Sequence, residues 1–184
     1  PTTLFSDGTV PWWVLLPALS IAALVWIAAL SVPDGRLHVT FADVGQGDAT
    51  FITTPSGRHI LVDGGPDPLA ASRLLGKKVP FWARSIEVVA LTHAHSDHVG
   101  GLGRMLKASS LEAFMTCGTI DGSRADSFEM NDSVIVPVIP GQTFTIGDVE
   151  VDSFSVPHDA EEPVAFSVRH NGIKATQLTD LGWI

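Results

Sequence analysis

Hydrophobic and polar positions follow three different rhythms along the chain. From Gly8 to Pro33, 26 consecutive positions carry no charged side chain. The stretch "WWVLLPALSIAALVWIAALSV" inside that span is long enough to cross a hydrocarbon core, which takes roughly 20 apolar residues in a helix. The pattern predicts a transmembrane helix over residues 11–33, with 1–10 an upstream remnant. Trp12 and Trp13 would sit at one membrane interface and Trp26 nearer the other. Pro17 kinks such a helix but is tolerated there. A cleaved signal peptide would need a basic leading region and a shorter apolar core. The competing reading is a buried helix of a water-soluble domain.

After the "PDG" turn the rhythm shortens. "LHVTFADV", "ATFITT" and "HILVD" read as strands, with "TPSG" a hairpin turn between the last two. "PLAASRLLGKKV" has helical spacing, and "VGGLGRMLKAS" reads as a glycine-loosened helix. "IEVVALT" is a continuous apolar run, as expected of a strand covered on both faces. From residue 133 onward "SVIVPVI", "QTFTI", "VEVDSFSV", "VAFSVRH" and "IKATQLT" form five short strands separated by turn signals. Strand runs with intervening helices predict an α+β, layered α/β domain over residues 36–184.

Composition sharpens this picture in three places. The formal charge is -9 over 184 residues, and it is unevenly spread. Residues 1–108 hold eight acids and eight bases, whereas 109–184 hold twelve acids and three bases. A uniformly basic nucleic-acid binder is therefore excluded, although a local basic face is not. Cys117 is the single cysteine, which excludes an intrachain disulfide framework and a cysteine-based zinc site. Its setting in "LEAFMTCG" predicts a small buried hydrophobe. The chain opens on Pro and closes on "LGWI", which predicts a fragment of something longer.

The chemistry concentrates in "ALTHAHSDHVGGLG". His93, His95, Asp97 and His98 fall within six positions directly after a buried strand. Side chains at i and i+2 of an extended segment point the same way, so His93 and His95 can grip one ion together. Asp97 and His98 fall on the following turn and can face a neighbouring ion. Three neutral imidazoles with an open position suit catalytic zinc; a mixed carboxylate–imidazole set suits zinc, iron or manganese. The competing reading is a polar loop with incidental histidines.

"THAHSDH" resembles the signature of the metallo-β-lactamase fold, an αββα sandwich of metal-dependent hydrolases, here C-terminally incomplete. The order of the remaining motifs agrees. Asp63 in "ILVDGG" resembles that family's first motif, whose Asp orients ligands or the metal-activated water. His158 in "SVPHD" resembles the third motif, and Asp180 in "LTDLG" the fourth, a carboxylate bridging two metals. The resemblance implies one ion on His93, His95 and His158 and another on Asp97, His98 and Asp180. It also implies one further His beyond Asp180, whereas this chain ends four residues later. Either the second site is incomplete or its last ligand is missing.

A second resemblance is finer. The apolar helix followed by "LHVTFADVGQGDATFITTPSGRHILVDGGPDP" is similar to the C-terminal hydrolase region of ComEC-type DNA-uptake (competence) membrane proteins, over residues 11–104. "SVPHDAEEPVAFSVRHNGIKATQLTDLG" is more similar to metallo-β-lactamase-fold nucleases of the YycJ type. The shift falls near residue 108, where the charge balance also changes. These likenesses imply a hydrolase on the bacterial inner membrane, facing its extracytoplasmic side, within a larger channel protein and acting on nucleic acid.

The expected reaction is hydrolysis by water that one or two divalent ions activate, with Asp97 orienting that water or sharing its proton. Asp63 and Asp159 are candidates to fix imidazole tautomers, Asp159 being equally readable as a solvated turn residue. Asp43 and Asp48 flank "VGQG" and either cap a tight turn or approach the site. Between Ala70 and Ser85, Arg73, Lys77, Lys78 and Arg84 occur with no acid, a patch able to track phosphates or to serve as a solvated helix face. His38, His59 and His170 show no ligand spacing, and His170 before "NG" is expected to be exposed. Three functions compete: a membrane-tethered phosphodiesterase or nuclease, a hydrolase of a small ester, thioester or lactam, and a non-catalytic metal-binding domain of a transport channel.

Overall fold

The computed structural model describes residues 10–30, 32–67, 69, 73, 76–77, 79, 85–108, 111–128 and 130–182. The chain divides into two units, Pro1–Val32 and Pro33–Ile184.

In the first unit, α1 runs from Trp12 to Leu30 and none of its residues is buried. Its mean hydropathy of 2.3 and its 19 residues are enough to cross a membrane by length and composition. Pro17 lies inside the helix, where its missing amide removes one i→i−4 bond, and α1 continues through it to Leu30.

The second unit is built on two sheets. β1 (His38–Phe41), β2 (Thr50–Thr53), β3 (His59–Val62), β4 (Val88–Ala90), β5 (Glu112–Met115) and β6 (Ile135–Pro137) form a six-stranded sheet in that spatial order. β1, β2 and β3 pair antiparallel, while β3 to β6 pair parallel. β7 (Thr143–Ile146), β8 (Val149–Ser155), β9 (Val164–His170) and β10 (Ile173–Gln177) form an antiparallel sheet ordered β10-β9-β8-β7.

Alternation along the strands creates two cores. Ile60 and Val62 of β3, Val88 and Ala90 of β4, and Phe114 of β5 face Val149, Val151, Val164, Phe166 and Val168 of the second sheet. Leu61, Val89, Ala113 and Met115 point the other way, onto Val99, Leu102, Leu106 and Ile120 from the helices. Period-2 geometry thus makes β3, β4 and β5 apolar on both faces and stacks helix, sheet and sheet. The helical layer comprises α2 (Ser96–Val99), a 3₁₀ turn (Gly100–Leu102), α3 (Gly103–Ala108) and α4 (Cys117–Ala125).

Two expectations need correction. Cys117 is exposed, not buried. The strand-like run ends at Met115 because the Thr116 side chain accepts from the Thr119 amide at 3.1 Å, capping α4 and turning Cys117 outward. His170 is half-buried, its Nδ1 2.9 Å from the Asp148 carbonyl across the turns. The helical reading of "PLAASRLLGKKV" falls largely outside the described residues.

Candidate metal centre

Parallel pairing of β3 and β4 sets Val62 beside Ala90, so both strands deliver their C-terminal ends to one level of the sheet. Crevices beyond such ends are where open α/β sheets hold ligands. Asp63 leaves β3 there, and "LTHAHSDH" leaves β4. The two loops are laced by backbone bonds from Gly64 N to His98 O (2.8 Å) and from Gly101 N to Gly65 O (2.7 Å). A Cβ on Gly101 would lie 2.2 Å from the Gly64 carbonyl oxygen, so "VGG" is required by close backbone approach. The second sheet joins through Val164 N to Thr92 O at 3.0 Å. Its β8–β9 connection supplies His158, and the segment after β10 supplies Asp180.

Two donor groups result. One ring nitrogen each from His93, His95 and His158 lie within 4.8 Å of one another, as do donor atoms of His93, His98 and Asp180. The His93 ring centroid is 4.7 Å from those of His95 and His158 and 4.1 Å from that of His98. His158 Nε2 faces His95 Nδ1 at 3.2 Å. Asp180 Oδ2 lies 2.7 Å from His98 Nε2 and 3.7 Å from His93 Nε2. His93 thus belongs to both groups, at the junction of the two sheets' contributions.

Around these donors, buried carboxylate and hydroxyl groups hold the rings. Asp63 is wholly buried; its Oδ1 accepts from Thr92 N at 2.9 Å and its Oδ2 from Thr92 Oγ1 at 2.8 Å. Oδ2 also lies 3.2 Å from His98 Nδ1. Thr92 Oγ1 sits 3.0 Å from His93 Nδ1. Asp159 Oδ1 is 3.2 Å from His158 Nδ1 while half of its side chain meets solvent. Asp63 and Asp180 both have left-handed backbones, with φ of 55° and 48°, a strained conformation that clusters where function demands it.

Electrostatics divide the imidazoles. Burial, then repulsion from His98, His95 and His158, pushes His93 down to about 3. Burial also opposes charge on His98, but the Asp63 hydrogen bond and the nearby carboxylates of Asp63, Asp180 and Asp97 raise it to about 9. His93 is therefore a neutral imidazole, and its buried Nε2 has no hydrogen-bond partner. An orphaned buried lone pair costs about 1–3 kcal/mol, and a cation would satisfy it. Imidazoles beside a carboxylate form a donor set of the kind that zinc, iron and manganese accept.

Other residues singled out by the sequence have different settings. Asp97 is half-buried and stands outside both donor groups, although its charge acts on His98 and Asp48. Asp63 touches the His98 imidazole and the Thr92 hydroxyl, behind the donor atoms of the two groups. Asp43 Oδ1 receives the Gly45 amide at 3.4 Å, a turn cap. Asp48 lies toward the centre: burial raises its pKa, His98 lowers it, and Asp63, Asp180 and Asp97 raise it further. Arg73 is engaged by Asp67 at 2.6 Å, an acid just outside the acid-free window, so the patch is not wholly unpaired. Lys77 is exposed, while Lys78 and Arg84 lie outside the described residues. His38 pairs with the exposed Asp34 at 2.8 Å, and His59 Nδ1 with the Ser85 carbonyl at 2.9 Å; both stand apart from the donor groups. Thr92, which touches both Asp63 and His93, is the residue of this cluster that sequence reasoning misses, because a threonine before a histidine motif carries no ligand signal of its own.

Comparison with known proteins places these features in a family. A family model described as "Beta-lactamase superfamily domain" matches residues 58–184. The chain is 29% identical over 151 residues to the exodeoxyribonuclease YycJ of Bacillus anthracis, covering 80% of this chain and 56% of that protein. It is 33% identical over 94 residues to the competence protein ComA of Neisseria gonorrhoeae, 51% of this chain and 13% of that protein. Among solved structures, a metallo-beta-lactamase from Cronobacter sakazakii superposes with a TM-score of 0.61 at 20% identity, covering 75% of this chain and 60% of that one. The chain thus spans little more than half the length of the nuclease relative.

Proposed function

The chain belongs to the beta-lactamase superfamily, and from that premise we propose that it is a metal-dependent phosphodiesterase of nucleic acid, tethered to a bilayer by α1 as part of a ComEC-like DNA-uptake protein. The observation that carries the proposal is the meeting of two donor groups at His93 Nε2, a buried nitrogen with no protein partner. Support for the substrate class comes from the likeness to an exodeoxyribonuclease and to a competence protein. The apolar, uncharged α1 is long enough to cross a bilayer and so supports the tether; in this reading the hydrolase sits at the bacterial inner membrane.

In this reading His93, His95 and His158 hold one divalent ion, zinc before manganese or iron, and His98 and Asp180 hold a second, with Asp97 on the adjoining turn. Bound there, a divalent ion would supply Lewis acidity that lowers a water's pKa toward neutrality. Asp97 orients the attacking water and accepts its proton at a carboxylate oxygen. Asp63 keeps His98 aligned through Nδ1, and Asp159 does the same for His158. Lys77 and Arg73 contact the phosphate chain outside the centre, Arg73 sharing its charge with Asp67; Lys78 and Arg84 belong to the same proposed contact.

Metal analysis beside a nuclease assay tests the proposal. The full-length parent protein is expected to carry close to two divalent ions per chain and to cleave DNA in their presence. His95→Ala and Asp97→Ala are each expected to reduce cleavage at least about a hundredfold. A small thioester and a β-lactam serve as competing substrates. Cleavage of DNA unchanged in both variants, or turnover of the small substrates alone, would overturn it.

A further inference from the structure

We propose that Thr92 is a positioning residue that fixes the tautomer of His93, relaying the Asp63 carboxylate to the imidazole shared by both donor groups. The inference rests on the metal-centre reading above and adds the device that aims its central nitrogen.

Counting protons decides the tautomer. Asp63 presents two carboxylate oxygens and is wholly buried. Oδ1 takes the Thr92 amide at 2.9 Å, and Oδ2 takes the Thr92 hydroxyl at 2.8 Å. A hydroxyl has one hydrogen. With that hydrogen directed to Asp63, Thr92 Oγ1 can only accept on its other side. The group on that side is His93 Nδ1, 3.0 Å away. His93 Nδ1 must therefore carry the hydrogen, and in a neutral ring Nε2 is then the lone-pair nitrogen. That is the buried nitrogen without a hydrogen-bond partner, 3.7 Å from Asp180 Oδ2. The opposite tautomer would leave two acceptors facing each other at Nδ1 and an unpartnered N–H at the centre.

Asp63 Oδ2 also faces His98 Nδ1 at 3.2 Å, so one carboxylate orients two imidazoles, His98 directly and His93 through a hydroxyl. The Thr92 hydroxyl spans a gap that Asp63 does not bridge itself. Both Thr92 bonds to Asp63 come from one residue, amide and hydroxyl together, which leaves the side chain at 1% exposure a single orientation. Its position is held further by the bond from Val164 N to Thr92 O.

Two measurements on the 184-residue chain in mild detergent test this. Long-range ¹H–¹⁵N correlation of the metal-free protein reads each histidine's tautomer, with His93 assigned by comparison with His93→Asn. His93 is expected as the Nδ1–H form; an Nε2–H form would overturn the relay, whatever any variant does. Zinc affinity is then measured by chelator competition for wild type, Thr92→Val and Thr92→Ser. Removal of the hydroxyl in Thr92→Val is expected to weaken binding about 10- to 100-fold, the range seen for loss of groups that orient ligands, and to mix the His93 tautomers. Thr92→Ser keeps the hydroxyl and is expected within about threefold of wild type. Affinity of Thr92→Val within that same margin, or an equal loss in Thr92→Ser, would overturn the proposal. Wild-type chain that binds no zinc would sink the metal-centre reading alone, since the metal-free tautomer still decides whether Thr92 orients His93.

Discussion

Replacing Asp63 by Asn isolates the energetic weight of the carboxylate behind the donor cluster. The substitution keeps shape and volume, and Asn tolerates the left-handed backbone that Asp63 adopts at φ 55°. What changes is charge and one acceptor. Asp63 accepts from Thr92 N, Thr92 Oγ1 and, on the geometry, His98 Nδ1. An Asn carbonyl placed at the Oδ2 position retains the last two, but its amide then meets the Thr92 N–H donor to donor. One buried donor left unsatisfied costs about 1–3 kcal/mol, and demotion of two charge-assisted bonds to neutral ones about 1 kcal/mol each. The expected destabilisation is about 4 kcal/mol, a large share of the roughly 5–15 kcal/mol that holds a domain folded.

Urea denaturation of the metal-free chain, followed by circular dichroism, reads this value directly. Asp63→Ala is expected to lose more, since Ala satisfies none of the three donors and adds about 1–2 kcal/mol of left-handed strain. Asp63→Gly, free of that strain, separates the two contributions. A loss below about 0.5 kcal/mol in Asp63→Asn would refute the reasoning, because a buried charged hub cannot be removed so cheaply.

Three further outcomes are expected. His98, raised from 6.5 to about 9, contributes stability that is fully present below pH 6.5 and lost as pH rises through about 9. Metal-free wild type should therefore weaken between those values and His98→Gln should not; equal slopes in thermal melts would contradict the assignment. A Cβ on Gly47 would lie 2.1 Å from the Asp97 carbonyl oxygen, at φ 80°. Gly47→Ala should thus displace the Asp97 turn, cutting cleavage at least about tenfold and stability by about 1–3 kcal/mol, with wild-type kinetics and melting counting against it. Zinc at a hundredfold excess over its dissociation constant should stabilise the chain by about 2.7 kcal/mol, and a chelator should reverse this in the same melt.

Many elements of the fold are legible in the residue order. The apolar run ahead of Asp34, the period-2 strands and the continuous apolar "IEVVALT" each declare themselves locally, because backbone geometry converts spacing directly into a face. The dense cluster His93, His95, Asp97 and His98 is visible for the same reason: its members are neighbours in the chain. Cys117 misleads because its apolar neighbours imply a strand, while one Thr116 cap turns the backbone outward. Asp67 lies outside the acid-free stretch, yet the fold brings it back onto Arg73.

The order of residues is thus enough to set the element types, the layered class and the identity of most candidate donors. Packing in three dimensions brings His158 and Asp180, far along the chain, to His93, and makes His93 common to both groups. It also puts Asp63 behind the candidate donors and leaves Asp97 outside both groups. Those outcomes depend on parallel registry between β3 and β4 and on the second sheet's contact at Thr92. Local spacing cannot encode them, because a distance across two sheets is set by the packing of side chains that carry no chemistry of their own.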